Sequence, residues 1–486
     1  MLKEKDRDFQ PCVVSLEALV PEDNFYRQVD AKLDLTFVRD LVRPLYKPFG
    51  RPGIDPVVFF KLQLIMFFEG IRSERQLMDL VHLNLAFRWY AGYDLDEPVP
   101  HHSSLTRIRN RFGLEVFQRF FEQIVELCIE AGLVWGQEMH FDGTMVRANA
   151  DFDNQVPRFY LQAQQHIEDV FKEPEQEDRD VVSKYDGTRQ LVKPSSYKKQ
   201  ADYWVNPIDP DATPLGRGRL GYHLHYGVDG GQARIILKCL VTPASIQDNT
   251  PLLDLVWLSR FRWQLDLDTV VADARFGTVR NAVGLEQNNI QAFMPLHTEA
   301  KRSSGKGNTF GTNRFRYDPE RNVYICPQGE VLPYYATVCP IQRVVYKARD
   351  EVCAACPVQT QCKTGQSGRR VGHSIFKDIL DRIKTYHETE AYKKAMRKRQ
   401  VWVEPKFAEV KQWHQGEKFR LRGLFKVNIE ALLKAAGQNI KQFLKARSHG
   451  NRPKPPTNAA VIPLFSTFHL VCVGSAITRE PSSSRC

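Results

Sequence analysis

The chain has 486 residues and a net charge of +11, and hydrophobic residues make up 42% of it. This composition indicates a folded protein of two to four domains and excludes a largely disordered chain. The first ten residues carry no apolar segment typical of a secretory signal, and no run of about 18 apolar residues is present. We therefore expect a cytoplasmic protein that has no disulfide framework, despite its 10 cysteines.

The first 135 residues predict an all-α domain. Apolar residues recur at helical spacing within 55–71, Ser73 can cap the next helix, and a third helix begins at Ser103 or Ser104. That third helix exposes three arginines, which are Arg107, Arg109 and Arg111. Short helices with an Arg-rich face suit a helix-turn-helix reader of DNA, and a helical bundle with a basic surface fits the pattern equally well.

A mixed α/β pattern follows the helices. Residues 137–150 alternate like a strand and contain Asp142, and a hairpin is predicted around residues 229–231. A helix, a buried strand that runs to Asp273, another helix and a last strand come next. This succession predicts an α/β fold with a mixed sheet flanked by helices.

Changes in composition divide the rest of the chain. The polar stretch 151–218, with a predicted helix at 157–171, reads as an insertion rather than a core element. The predicted segments are the first part of the α/β domain at 136–297, a loop-rich cysteine-containing insertion at 298–378, helices that complete the domain at 379–450, and a tail at 451–486.

The positive charge is concentrated near the carboxyl end of the chain. Residues 391–450 contain 15 Lys and Arg against 4 Glu, which matches the net charge of the whole protein. Aromatic residues are interleaved with these cations, as is typical of surfaces that bind a polyanion. A solvated charged face is the alternative interpretation.

Two predicted strands end in an acid that is followed by a small residue. These acids are Asp142 and Asp273, and the predicted topology lets their strands lie side by side. Two carboxylates at neighbouring strand ends repel each other, and a divalent cation offsets that repulsion. Because Mg²⁺ prefers oxygen ligands, the pair predicts a magnesium site between the two side chains.

Six stretches of the chain together resemble the DDE transposases of prokaryotic insertion sequences, over about residues 10–450. They are RPGIDPVVFFKLQLIMFFEGI (51–71), HHSSLTRIRNRF (101–112), HFDGTMVRANA (140–150), LGYHLHYGVD (220–229), VVADARFG (270–277) and VEPKFAEVKQW (403–413). The resemblance implies a ribonuclease-H-like catalytic domain and a helical N-terminal domain that holds DNA or dimerises. It also implies the cysteine-bearing insertion.

The resemblance implies a third acid, a Glu on a late helix. In the family pattern, Tyr, two residues, Arg, three residues, Glu, six residues and Lys follow one another. Glu404 and Lys411 match the spacing from Glu to Lys. Arg397 and Gln400 stand where the pattern has Tyr and Arg, which leaves Arg399 as the candidate for the Arg position.

The resemblance implies a two-metal mechanism on DNA. Two Mg²⁺ or Mn²⁺ ions, held by Asp142, Asp273 and Glu404, would activate water or a DNA 3′-OH for in-line phosphoryl displacement. The implied partner is double-stranded DNA, both as the element ends and as the target, bound by a homodimer. The implied location is the cytoplasm, with the protein at the nucleoid when it is bound to DNA. The candidate phosphate-binding residues are Lys411, Arg399, Arg420, Arg422, Arg107, Arg109 and Arg111.

Two other functions remain open on the sequence. Because Arg397 and Gln400 depart from the family pattern, the chain could be an inactive, domesticated derivative that only binds DNA. A ribonuclease-H-fold nuclease that cuts without strand transfer is the second alternative.

The cysteine-containing insertion predicts a structural metal site. Cys353 and Cys356 form a CxxC motif, Cys362 follows, and Cys326 or Cys339 can supply a fourth thiol. Four thiolates in a polar segment with little apolar content suit structural Zn²⁺. Reduced cysteines without a metal are the alternative.

Overall fold

A computed structural model describes residues 13–46, 53–158, 161–162, 204–216, 218–296, 310–362, 365, 367–414 and 416–448. Most of the predicted helix at 157–171 and the tail after residue 450 lie outside these ranges. Contacts divide the chain into two compact units, Met1–Asp273 with Lys394–Pro453 and Ala274–Lys393 with Lys454–Cys486. The predicted domains follow changes in composition, so they divide the chain at other positions.

The prediction of a helical N-terminal region is confirmed. Its helices are α1 (Leu16–Leu19), α2 (Phe25–Lys32), α3 (Phe37–Val42), a 3-10 helix (Arg43–Leu45), α4 (Pro56–Phe68), α5 (Glu74–Leu83), α6 (Leu85–Ala91) and α7 (His102–Glu130). Ser73 caps α5 as predicted, because its side chain accepts a hydrogen bond from the Gln76 amide.

Helix α7 begins two residues earlier than the cap that the sequence favoured. His101, rather than Ser103 or Ser104, is the N-cap, and its side chain accepts from the Ser103 amide. At Gly113 the backbone takes φ 67° and ψ 179°, which interrupts the helix. A positive φ favours glycine, so this residue separates α7 into two helical segments.

The N-terminal core is aromatic. Helix α4 is apolar on nearly all sides, and its Phe59 and Phe60 are fully buried. The Phe60 ring stacks on Phe120 of α7 with centroids 4.2 Å apart. Phe112 of α7 contacts Phe59, and Phe117 of α7 contacts Phe60. Burial of such side chains stabilises the fold by about 1.5–3 kcal/mol each, which explains why α4 and α7 pack together.

A mixed sheet forms the centre of the first unit. The strands before α8 (Leu252–Trp263) are β1 (Glu138–Arg147), β2 (Val156–Pro157), β3 (Trp204–Val205), β4 (Thr213–Gly216), β5 (Arg219–Asp229) and β6 (Ile236–Pro243), and β7 (Thr269–Val271) follows that helix. In the sheet, β5 pairs antiparallel with β1, β4 and β6. Strand β7 pairs parallel with β1, so the first and fourth main strands are neighbours, as the sequence predicted.

The hairpin between β5 and β6 is tied to the start of β1. The carboxylate of Asp229 accepts hydrogen bonds from the amides of Trp135, Gly136 and Gly231. A side chain at Gly230 would place its Cβ 2.7 Å from Glu138 Oε1, so this turn requires a residue without one. The turn therefore fixes the position at which β1 enters the sheet.

The second unit holds a helix, a strand and the cysteine-containing segment. Its elements are α9 (Val279–Glu286), β8 (Gln291–Phe293), β9 (Arg316–Asp318), β10 (Val323–Ile325), β11 (Val331–Leu332), β12 (Tyr334–Val338), β13 (Arg343–Lys347), α10 (Asp350–Ala354), α11 (Gln359–Cys362), β14 (Arg370–Ser374) and α12 (Lys377–Tyr386), with 3-10 helices at Thr312–Arg314 and Cys339–Ile341. The strands from β9 to β14 form two three-stranded sheets. The sequence analysis did not foresee these strands, since strands this short leave little alternation in the sequence.

The last elements that the structure describes are three helices, α13 (Glu390–Trp402), α14 (Glu404–Trp413) and α15 (Leu424–Ser448). Helix α15 covers the outer edge of β6, where its Asn428 and Asn439 side chains exchange paired hydrogen bonds with the backbone of Val241 and Ile236. These bonds satisfy backbone groups that an edge strand would otherwise leave open. None of the described helices is both long and apolar enough to cross a membrane.

Candidate active site

Asp142 lies in the middle of β1, directly after the buried residues Met139, His140 and Phe141. Its side chain is 15% exposed. The amide of Gly143 donates a hydrogen bond of 2.8 Å to Asp142 Oδ1. A side chain at Gly143 would bring its Cβ 3.2 Å from His225 Nδ1 on the neighbouring strand. The small residue after the acid therefore lets β5 approach β1 closely at this point.

Asp273 follows the strand that pairs in parallel with β1. The last pair of that ladder is His140 of β1 with Val271 of β7. Asp142 and Asp273 each follow this pair by two residues. Ala272 is fully buried while Asp273 is half-buried, so the strand delivers its acid to the edge of the core.

Glu404 comes from the opposite end of the sequence, as the first residue of α14. Its side chain is 55% exposed. The guanidinium of Arg399, near the end of α13, links it to the first acid. Arg399 Nη1 lies 3.0 Å from Asp142 Oδ2, and Arg399 Nη2 lies 3.5 Å from Glu404 Oε1.

The charges of both other acids act on Asp142. Burial raises the pKa of Asp142, while the Arg399 guanidinium and the Gly143 amide lower it, and the charges of Asp273 and Glu404 raise it again. Mutual repulsion of this kind requires carboxylates that lie close together. Asp273 and Glu404 therefore lie near enough to Asp142 for their charges to raise its pKa.

The donor types of this site suit a hard divalent cation, because all three are carboxylates. Within the described ranges, however, no group of three or more His, Cys, Asp or Glu side chains is already arranged to hold a metal ion. Glu404 is the most exposed of the three acids, and its carboxylate pairs with Arg399.

Lys411, on α14, contacts the strand that carries Asp142. Its ammonium group donates a hydrogen bond of 2.7 Å to Thr144 Oγ1. Thr144 is two residues after Asp142, so both side chains project from the same face of β1. Lys411 is two helical turns after Glu404, which explains how one helix supplies both groups. Thr144 was not selected from the sequence.

The prediction that Arg109 contacts DNA is wrong, because its guanidinium is buried. Arg109 is 2% exposed and forms an ion pair with Glu74, which also pairs with Arg420 at 3.0 Å. Burial and the charge of Arg420 lower the pKa of Arg109 to about 9. Arg109 thus stays protonated at neutral pH and neutralises a buried carboxylate.

The other predicted phosphate-binding arginines differ in exposure. Arg107 and Arg111 are exposed on α7, and Arg111 lies over the ring of Tyr46. Arg422 is exposed and donates to the carbonyl of Asn149, whereas Arg420 is half-buried. The structure leaves Arg107, Arg111 and Arg422 at the surface.

A second polar group on β1 was missed from the sequence. Glu138, His140 and Asp142 alternate along the strand and share one face. Glu138 Oε1 lies 2.7 Å from His140 Nε2 and 2.6 Å from Lys398 Nζ. Burial raises the pKa of Glu138, but the hydrogen bonds of His140 and Lys398 hold it below its usual range. The alternation of polar residues in QEMHFD was the available signal.

The predicted zinc ligands lie together in the second unit. Cys326, Cys353 and Cys362 pack against a small core that contains Tyr324 and Tyr346. Burial raises the pKa of Cys362, the Arg369 charge lowers it, and the thiols at 353, 326 and 356 raise it. Backbone amides donate to two of the sulfur atoms, Gln328 to Cys326 Sγ and Arg369 to Cys353 Sγ, both at 3.3 Å. The described cysteines are all free thiols.

Comparison with known families gives two matches. Residues 14–111 match the family described as transposase domain (DUF772), and residues 325–444 match a transposase DDE domain. The second match includes Arg399, Glu404 and Lys411. No curated protein matches the chain. The DDE match implies a ribonuclease-H-like fold, with which the mixed sheet of β1, β5, β6 and β7 agrees. Together the two matches support assignment of the chain to the DDE transposases of the insertion-sequence type.

Proposed function

We propose that this transposase cuts DNA at the ends of an insertion sequence and joins them to target DNA by in-line phosphoryl displacement. The observation that carries the proposal is that Arg399 pairs with both Asp142 and Glu404, while the charge of Asp273 also acts on Asp142. Carboxylates that lie this close repel one another, which destabilises the folded protein unless a cation neutralises them.

The three acids would hold two divalent ions, Mg²⁺ or Mn²⁺. When bound, such ions lower the pKa of an attacking water or 3′-OH and stabilise the leaving oxygen. Asp142, whose pKa responds to both other acids, is the residue that would serve both ions. Asp273 and Glu404 would each complete the ligand set of one.

Cations around the acids would hold the DNA backbone. Lys411 lies next to β1 and can contact a phosphate as a point charge. Arg422, Arg107 and Arg111 are exposed and can add contacts that do not depend on base sequence. Binding through such contacts should weaken steeply as salt rises. Because two element ends must be processed together, we propose a homodimer on DNA.

An oligonucleotide assay tests this function. Duplexes that carry candidate element ends are incubated with the full chain and Mg²⁺ or Mn²⁺, and the products are resolved on denaturing gels. We expect cleavage at the end of the element and joining to a second duplex. Binding without cleavage would instead identify an inactive derivative, and cleavage without joining would identify a nuclease.

We also propose that Cys326, Cys353, Cys356 and Cys362 hold one structural Zn²⁺. Backbone amides donate to the sulfurs of Cys326 and Cys353, and cysteine sulfur is a preferred ligand of zinc. Cys326 packs against the same small core as Cys353 and Cys362, whereas Cys339 is exposed, so Cys326 is the better fourth ligand. The module has a small apolar core, and a metal would add the stability that such a core lacks.

Metal analysis checks the zinc proposal. The purified protein should contain about one zinc per chain, and the double variant Cys353→Ser with Cys356→Ser should contain none. Cys339→Ser, in the same module, is the matched control and should keep its zinc. A folded wild-type protein without zinc would contradict the site, as would loss of zinc in the control.

A further inference from the structure

Arg399 lies between two of the three acids, where a positive charge offsets their mutual repulsion. Its guanidinium uses two different nitrogen atoms, Nη1 toward Asp142 at 3.0 Å and Nη2 toward Glu404 at 3.5 Å. The side chain is only 11% exposed, so water screens these contacts weakly. A guanidinium keeps its proton at any physiological pH. The Arg399 guanidinium therefore always places a positive charge beside these two acids.

The oxygens of Asp142 are already engaged. Oδ1 accepts from the Gly143 amide at 2.8 Å, and Oδ2 accepts from Arg399. A divalent ion bound to the same carboxylate, at about 2.0–2.6 Å from its oxygen, would lie next to the guanidinium. Two cations this close repel each other strongly in a partly buried site. The guanidinium and a divalent ion therefore disfavour each other on Asp142.

We propose that Arg399 is an internal counter-ion that competes with the divalent ion for Asp142 and Glu404. Metal binding then requires the guanidinium to release at least one of the two carboxylates. A released guanidinium can bind a DNA phosphate through two parallel hydrogen bonds. The exchange from carboxylate to phosphate makes metal binding and DNA binding support each other. This inference rests on the proposed function, since it assumes that the metal binds these acids.

The chain offers a matched control one residue away. Lys398 Nζ pairs with Glu138 Oε1 at 2.6 Å, so consecutive residues of α13 pair with two acids on the same face of β1. The side-chain exposures are similar, 20% and 15% for Lys398 and Glu138 against 11% and 15% for Arg399 and Asp142. Lys398→Gln removes an ion pair between the same two elements but leaves the three acids untouched.

The test is a titration of the full chain with Mn²⁺, followed by electron paramagnetic resonance of the free ion. We expect Arg399→Gln to bind Mn²⁺ about tenfold more tightly than wild type in the absence of DNA, and Lys398→Gln to bind it as wild type does. Arg399→Lys keeps a positive charge that cannot bridge two carboxylates. Its affinity for Mn²⁺ should therefore lie between those of wild type and Arg399→Gln. This milder variant still decides the question if Arg399→Gln does not fold.

The DNA-dependent arm measures the coupling. Adding a duplex should tighten Mn²⁺ binding more in wild type than in Arg399→Gln, because only wild type has a guanidinium to transfer. Unchanged or weaker Mn²⁺ binding by both Arg399 variants, with binding lost in Asp142→Asn, would overturn the competition and leave the proposed function standing. Mn²⁺ binding that survives in Asp142→Asn would instead show that the metal is not on these acids, and both proposals would fail.

Discussion

Asp142→Asn is expected to reduce DNA strand cleavage by about three orders of magnitude or more. The change removes one negative charge from the acid that both Asp273 and Glu404 influence. It keeps the size of the side chain and leaves the exposed cations in place, so DNA binding should persist. Gel-based cleavage rates and a binding titration at the same salt concentration measure the two effects separately.

The control for this variant is Asp268→Asn. Asp268 is exposed and directly precedes β7, so it lies near the same sheet but away from the three acids. We expect it to cleave at the wild-type rate. Wild-type cleavage by Asp142→Asn would remove that residue from the active site.

Arg109→Ala is expected to lower the free energy of unfolding by about 3 kcal/mol. The variant leaves Glu74, which is 8% exposed, with one cationic partner fewer in a buried position. Arg420 and the hydroxyl of Thr106 still contact Glu74, which keeps the loss at the lower end of the range for a broken buried pair. Urea unfolding followed by circular dichroism gives the change.

Arg107→Ala is the comparison variant, on the same helix and exposed to solvent. Its side chain donates only to Ser103 at 3.3 Å among the contacts of the described residues. We expect a change within about 0.5 kcal/mol and weaker DNA binding. If Arg109→Ala kept full stability and lost DNA affinity instead, the assignment of Arg109 to a DNA-binding surface would be restored.

The sequence was most informative where local patterns coincide with topology. Strand order alone set the strands of Asp142 and Asp273 side by side, and the observed parallel pairing of β1 with β7 agrees with it. The spacing from Glu404 to Lys411 likewise survives as two turns of one helix. Each of these relations follows from chain order or helix geometry, which a sequence displays directly.

Contacts between distant segments were not predictable in the same way. A periodic pattern shows that Arg107, Arg109 and Arg111 lie on a helix. It does not show that only Arg109 of the three forms an ion pair with Glu74. The family pattern expects Arg at position 400, whereas the structure gives the contacts with both acids to Arg399, because the end of α13 turns that side chain toward β1. These outcomes depend on packing between elements, and local sequence does not encode it.

The most direct test of the account is an anomalous-scattering map of crystals grown with Mn²⁺ and a DNA duplex. The account predicts Mn²⁺ peaks within coordination distance of carboxylate oxygens of residues 142, 273 and 404. Peaks bound elsewhere, with these three side chains far apart, would contradict it.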